Sequence, residues 1–166
     1  MSNEQSTQVA ELSDKIKSVR FAMFTTLDQY GHLISQPMTN QEVDADGALW
    51  FFTSSNTDLW TNIAGSPQVN VSFAEPEDSL YVSISGTAER VVDRARIEAL
   101  WNPMVAAWFP NGKDDPHVVL VKVVSKTVQY WDSKENKLTR MFEMAKAAVT
   151  GTRPELDPAD HGHIKL

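Results

Sequence analysis

The sequence predicts a mainly β protein, built as a small antiparallel barrel with helices at its rim. Six short segments are rich in β-branched and aromatic residues, and several alternate apolar with polar side chains. Tight turns containing Gly or Asp separate most of them, which favours antiparallel neighbours. The 166 residues, of which 42% are hydrophobic, suit one core. With no internal repeat or linker, residues 1–166 are predicted to form one domain, with a core at about 10–150 and a tail at 151–166.

The elements are expected in the following order. Val9, Leu12, Ile16 and Val19 recur at spacings of three and four, which predicts an amphipathic helix over residues 5–19. The six strands are expected at residues 20–27, 33–43, 48–53, 68–74, 79–92 and 117–131, with a bend at Ser125 in the last. Further helices are expected at residues 57–64, 93–101, 102–109 and 137–149, followed by the tail.

Local signals set several of these boundaries. Residues 44–47 (DADG) are typical of a hairpin turn. Residues 65–67 (GSP) end the second helix, because Gly and Pro terminate helices. Asp93 is expected to cap the third helix through its side-chain oxygen.

Composition excludes several classes of function. A net charge of -7 with scattered basic residues argues against a nucleic-acid partner, because phosphate neutralisation needs clustered Lys and Arg. Cys is absent, which excludes disulfides, thiolate zinc sites and a Cys nucleophile. No apolar run reaches the roughly 18 residues of a membrane span, and the polar N-terminus lacks a signal-peptide core. We therefore expect a cytoplasmic protein without a membrane partner.

Residues 53–57 (TSSNT), here called the polar corner, form the most informative local feature. They follow two aromatic residues, Phe51 and Phe52, and open a short helix near Asp58. One interpretation is an ordinary helix cap provided by Asn56 or Thr57. The other is a site for the phosphate of a ligand with an apolar ring system, because free backbone N–H groups and hydroxyls bind anions.

Other polar clusters offer little chemistry. The acidic pairs Asp44/Asp46 and Asp114/Asp115 lie in predicted turns, where Asp makes local hydrogen bonds. His161 and His163 have a spacing that can chelate a metal, but no third ligand lies nearby in the sequence. The chain lacks a nucleophile elbow, a Walker loop and a dinucleotide fingerprint. We predict no metal site and name no catalytic residue.

The aromatic segment at residues 99–112 (ALWNPMVAAWFPNG) admits three interpretations. Trp101, Trp108 and Phe109 are costly to leave in water, and a corner of the core is the default. A dimer contact or a wall of a ring-binding cleft are the alternatives. Trp131, at the end of the last strand, admits the same interpretations.

Together, several segments resemble the general stress protein branch of the pyridoxamine 5'-phosphate oxidase-like flavoproteins. The segments are QPM (36–38), LWFFTS (49–54), SGTAE (85–89), LWNPMVAAWFPNGKDDP (100–116) and VQYW (128–131). The resemblance covers residues 10–150, and the tail DHGHIKL is also similar. It implies a six-stranded antiparallel split β-barrel with Greek key order and peripheral helices. It also implies a homodimer whose two FMN molecules lie in clefts between subunits.

The resemblance further implies which residues bind the flavin. Thr57 stands where the family has a phosphate-contacting Ser, Trp131 matches a Trp at the ring edge, and Trp108 is a candidate ring wall. The remaining positions implied are Gln36, Pro37, Met38, Thr39, Phe52, Thr53, Ser54, Ser55 and Leu59.

Two positions depart from the family pattern. Gln36 stands where the branch usually has Arg, and Leu59 where it usually has Lys. Each charge-assisted hydrogen bond contributes about 1.5–3 kcal/mol, so the two losses would weaken FMN binding by about two to four powers of ten. The site is expected to bind FMN weakly, to prefer a less charged flavin, or to bind none.

A further departure concerns activity. The true oxidases carry an Arg-Leu-His-Asp-Arg element, and here residues 137–141 read KLTRM, which argues against pyridoxamine phosphate oxidation. The resemblance therefore implies a flavin-binding protein that acts as an FMN-dependent oxidoreductase or sequesters flavin. The alternatives are a cofactor-free dimer that has lost the phosphate site, or a relative that binds deazaflavin or haem.

Overall fold

The computed structural model describes residues 3–132 and 160–165. Eight strands form one antiparallel sheet, and four helices lie around it in this part of the chain. The strands are β1 (Phe21–Leu27), β2 (Leu33–Thr39), β3 (Glu42–Val43), β4 (Leu49–Ser54), β5 (Gln68–Glu75), β6 (Leu80–Val91), β7 (Val118–Asp132) and β8 (Asp160–Lys165). The helices are α1 (Asn3–Ile16), α2 (Asp58–Gly65), α3 (Arg94–Leu100) and α4 (Pro103–Trp108).

The strand order is β2-β1-β5-β6-β7-β4-β3, with β8 paired to β7. This confirms the predicted fold class, and the six expected strands correspond to β1, β2, β4, β5, β6 and β7. The segment predicted as one strand over residues 33–43 is instead two strands, β2 and β3. Up to Thr39 the chain pairs with β1, and from Glu42 it pairs with β4. β8 lies in a region that we predicted as an irregular tail, and the expected helix at 137–149 lies outside the described residues.

A seam between β2 and β4 splits the barrel, because these strands are not neighbours in the hydrogen-bonded order. A backbone hydrogen bond closes one end of this seam: the Gln41 N–H donates to the Trp50 carbonyl at 2.8 Å. Beyond this bond the seam opens, with residues 36–39 of β2 on one side and residues 52–54 of β4 on the other, and both segments line one groove.

The core fills both sides of β4. Phe51 packs edge-on against Phe24 inside the barrel, with ring centroids 5.1 Å apart. Trp50 and Phe52 point to the other side and pack with Leu100 and Val105 of the α3–α4 region. A strand that is buried on both faces reads as a continuous apolar run, which explains the sequence LWFF.

Caps and one bulge fix the remaining geometry. Asp93 accepts from the Arg96 N–H, as predicted, and Asn102 accepts from the Met104 and Val105 N–H groups. The predicted bend at Ser125 coincides with a register shift, since Ser85 pairs with Thr127 while Gly86 pairs with Ser125. The extra residue in β7 makes this a β-bulge.

Candidate functional site

A groove of about 380 Å³ lies over the open part of the seam. Strands β2 and β4 form two of its walls, the start of α2 closes one end, and α4 with the following residue forms the outer wall. Its lining residues are Phe21, Gln36, Pro37, Met38, Thr39, Gln41, Phe52, Thr53, Ser54, Thr57, Met104, Val105, Trp108 and Phe109. We call this the seam groove.

The seam groove brings together nine of the twelve residues implied by the resemblance. These are Gln36, Pro37, Met38, Thr39, Phe52, Thr53, Ser54, Thr57 and Trp108. They come from three separate parts of the chain, at β2, at β4 with the polar corner, and at α4. Their convergence on one groove is the main structural fact about the site.

The other three implied residues lie elsewhere. Ser55 is at the polar corner but faces His117, with 2.9 Å between the hydroxyl oxygen and the imidazole Nδ1. Leu59 is 2% exposed and packs in the barrel core, so its side chain forms no wall of the seam groove. Trp131 lies on the outer face of the sheet, beside Phe21, Met23 and Tyr81.

None of the fourteen side chains that line the seam groove carries a charge. A neighbouring groove of about 400 Å³ shares Thr39, Gln41 and Met104 with it and is lined in part by Lys17 and Arg20. The Arg20 guanidinium contacts the sulfur of Met104, which lines both grooves. Positive charge is therefore present beside the seam groove but not in its walls.

The polar corner is both a helix cap and a wall of the groove. Thr57 caps α2, since its hydroxyl oxygen accepts from the Trp60 N–H at 3.3 Å. The same hydroxyl donates to the Ser54 carbonyl at 2.8 Å. The Thr53 hydroxyl lies 3.1 Å from it, and because the Thr57 proton is already used, Thr53 is the donor of that bond.

The aromatic segment around α4 divides into buried and exposed parts. Trp101 packs edge-on against Phe52 at 5.5 Å and lies 5.8 Å from Phe109, so the default interpretation as a core corner holds for Trp101. Trp108 is 81% exposed at the rim of the seam groove. The Asn102 side chain donates to the Gln41 side-chain oxygen at 2.9 Å and ties α4 to the β2–β3 bend.

Sequence reasoning missed four residues that line the seam groove, namely Phe21, Gln41, Met104 and Val105, whereas Phe109 was named as a possible cleft wall. Met104, Val105 and Phe109 belong to the aromatic segment, whose alternative as a cleft wall was the available signal. Phe21 and Gln41 come near the groove only through the β1–β2 register and the bend after Thr39. No local pattern in the sequence marks them.

The outer face of the sheet carries a second feature. Phe21, Met23, Tyr81 and Trp131 surround a shallow depression of about 300 Å³, and their side chains are between 37% and 58% exposed. We call these four residues the apolar patch. Phe21 belongs both to the patch and to the seam groove, so the two features adjoin.

Two acidic groups outside the groove have a lowered pKa, and both make hydrogen bonds within turns or loops. The pKa of the Asp115 carboxyl is lowered by the His117 backbone N–H and by the Asn111 side chain, and Asp115 lies in the loop before β7. The pKa of Asp28 is lowered chiefly by the His32 N–H in the β1–β2 turn.

Within the described ranges, no three His, Asp or Glu residues are grouped as a metal site would require. The helices of those ranges are also too short or too polar to cross a membrane.

The fold and the groove define an antiparallel split barrel with an uncharged groove along its seam. Comparison with known proteins gives the family. The chain belongs to the pyridoxamine 5'-phosphate oxidase like family, whose model matches residues 7–155.

Individual relatives agree with this assignment. A crystal structure from Jannaschia sp. CCS1 that bears the name general stress protein 26 is 30% identical, with a TM-score of 0.72, and the match covers 96% of this chain and 99% of that one. The general stress FMN/FAD binding protein from Xanthomonas citri is 33% identical, with a TM-score of 0.63, over 79% of this chain and 90% of that one. Protein bli-3 of Neurospora crassa is 29% identical over 154 residues, which cover 87% of this chain and 74% of that protein.

Proposed function

We propose that this protein binds a flavin in the seam groove and acts as a flavin-dependent redox protein or as a flavin-sequestering protein of the general stress type. FMN is the flavin that the family resemblance implies. The convergence of nine of the twelve implied residues on one groove carries the proposal. A relative that is 33% identical is named as an FMN/FAD binding protein, which supports the same ligand class.

The shape and chemistry of the groove suit a flat aromatic ring. Its volume lies in the range of small-molecule sites, and apolar walls with a few placed polar groups are typical of such sites. Met38, Phe52 and Trp108 offer apolar surface, whereas Gln36 and Ser54 offer hydrogen-bonding groups. These residues would hold and orient the ring system.

The bound flavin would supply the hydride chemistry, and the protein would supply orientation and exclusion of water. The groove walls contain no carboxylate, imidazole or amine that could transfer a proton. We therefore assign no catalytic residue to this chain. A proton that the redox reaction needs would come from solvent or from the second substrate.

A homodimer completes the proposal, with the flavin cleft between subunits. The apolar patch is an exposed cluster of large side chains on a regular sheet, and such clusters mark interaction surfaces. Because Phe21 joins the patch to the seam groove, a second copy seated on the patch would also reach the groove. This arrangement would bring the partner's aromatic residues toward the bound ring. We place the dimer in the cytoplasm.

The second candidate is a dimer that has kept the barrel and lost its cofactor, and the uncharged groove walls favour it. Flavin fluorescence separates the two. We expect quenching of riboflavin or FMN fluorescence when the purified protein is titrated at tens of micromolar. If neither flavin were quenched, the proposal that this protein binds a flavin would be wrong. A visible spectrum of the freshly isolated protein would also reveal haem or a deazaflavin.

A further inference from the structure

Charge around the polar corner is unfavourable for a phosphate group. Gln36 is neutral, and Leu59 is buried in the barrel core, so neither position contributes a cation to this end of the seam groove. The first residue of α2 is Asp58, whose side chain is exposed beside the Thr57 cap. Its carboxylate already complements the positive end of the helix dipole and repels a second anion.

The hydroxyl groups of the corner are largely committed to one another. The Thr57 hydroxyl donates to the Ser54 carbonyl, and the Thr53 hydroxyl donates to Thr57. Ser55 is paired with His117. Ser54, whose oxygen accepts from the Asn56 N–H at 3.3 Å, keeps its own proton for a ligand. A phosphate dianion has only acceptor atoms, so the side chains of this corner offer it few donors.

One described cation, Arg20, contacts a side chain of the groove wall, and it lies at the other end of the groove. Arg20 contacts Met104 and precedes Phe21, which pairs with Thr39. Gln36 is three residues from Thr39 along β2, which corresponds to roughly 10 Å of strand. Arg20 therefore cannot replace the two missing cations for a ligand whose anionic end lies at the polar corner.

From these observations we propose that the seam groove selects a flavin with an uncharged side chain, of the riboflavin type, over the same flavin with a 5'-phosphate. This proposal rests on the proposed function and assigns its ligand class. Desolvating a dianion without a countercharge is costly, whereas a sugar-alcohol hydroxyl both donates and accepts hydrogen bonds. The neutral flavin therefore keeps the ring contacts and avoids the electrostatic cost.

The test is a side-by-side titration of the full-length protein with riboflavin and with FMN, followed by flavin fluorescence at pH 7.5 and constant salt. We expect riboflavin to bind as tightly as FMN or more tightly. FMN binding that is tenfold tighter than riboflavin binding would overturn this inference and leave the proposed function intact. If neither flavin bound, the proposed function itself would fail.

Two variants test whether the charge at the polar corner causes this preference for a neutral flavin. Gln36→Arg adds a cation and is expected to raise FMN affinity by about tenfold or more. Asp58→Asn removes a carboxylate and is expected to raise FMN affinity by a smaller factor. Riboflavin affinity should change less than about twofold in Asp58→Asn, because Asp58 lines no wall of the groove and the riboflavin side chain has no charge. Gln36 is itself a wall residue, so Gln36→Arg is judged by the ratio of FMN to riboflavin affinity. Asp46→Asn is the matched control, since it removes one exposed acid from the β3–β4 turn, which lies outside the groove walls. An unchanged ratio of FMN to riboflavin affinity in both variants would show that the phosphate does not meet this corner and would overturn the inference.

Discussion

Lys15 of α1 and Asp132 at the end of β7 form an ion pair with 2.8 Å between Nζ and Oδ2. Their side chains are only 17% and 20% exposed. Burial disfavours the Lys15 charge, but the hydrogen bond and the charge of Asp132 outweigh it and raise the pKa of Lys15 above its usual 10.5. The amine also lies 4.6 Å from the centre of the Tyr130 ring. The pair thus fastens the first helix to the longest strand.

Asp132→Asn is expected to lower the free energy of unfolding by about 1–2 kcal/mol at pH 7. Because the pKa of Lys15 is higher in the folded protein than in the unfolded chain, its contribution is complete below pH 10.5 and disappears as the pH rises through the folded value. The difference between wild type and variant should therefore be constant at neutral pH and shrink above about pH 10.5. Urea unfolding at several pH values measures this.

Asp14→Asn is the control for this prediction. Asp14 pairs with Lys17 at 2.7 Å, but the two side chains are 72% and 67% exposed. Exposed pairs contribute about 0–1 kcal/mol, so this variant should differ little from wild type. Equal losses in the two variants would contradict a special role for the Lys15–Asp132 pair.

Gly86 lies at the bulge of β6 and β7, where a Cβ atom would stand 2.3 Å from the Val124 carbonyl oxygen. Gly86→Ala must push the two strands apart, and we expect a loss of about 1–3 kcal/mol in the free energy of unfolding. Gly65→Ala is the control, because nothing lies within 4 Å of the Cβ position there. Thermal or urea unfolding of both variants checks the prediction, and a Gly86 variant as stable as the Gly65 variant would refute the close approach.

The fold could be predicted because its signals are local. Alternating strands, the 44–47 turn and the caps at Thr57 and Asp93 act within a few residues of the chain. The break after Thr39 could not be predicted, since only two residues separate β2 from β3 and the two strands differ in the strand with which they pair. Whether two extended segments share a partner depends on the rest of the barrel.

The site was less predictable than the fold. The family resemblance selected residues by position, but it carries no information on where each side chain points. Leu59 illustrates this, because the resemblance marks it as a site position while helix periodicity turns it into the core with Ile63. The hydroxyl-rich sequence of the polar corner likewise does not reveal that its donors are already used within the corner. The flavin assignments and the single domain stay predictions.

Trp108→Ala should weaken flavin binding by about two- to tenfold, because an aromatic stacking contact contributes about 0.5–1.5 kcal/mol. Trp108 is 81% exposed, so the free energy of unfolding should change by less than about 0.5 kcal/mol. Tyr30→Ala removes another exposed aromatic ring, at the β1–β2 turn, which takes no part in the groove walls, and should leave binding unchanged. Fluorescence titration of both variants decides whether Trp108 belongs to the ring-binding wall, and equal affinities would exclude it.

Met23→Glu should convert the protein from a dimer to a monomer. Met23 is one of the four residues of the apolar patch, and burying a carboxylate between two apolar surfaces is costly. Light scattering should give twice 18.6 kDa for the wild type and 18.6 kDa for the variant. Val92→Glu adds the same charge at an exposed apolar residue that does not line the patch, and it should stay dimeric. A Met23 variant that remains dimeric would exclude the patch as the interface.

The monomeric variant should also bind flavin more weakly, because Phe21 joins the patch to the seam groove. A monomer with full flavin affinity would place the whole binding site within one subunit.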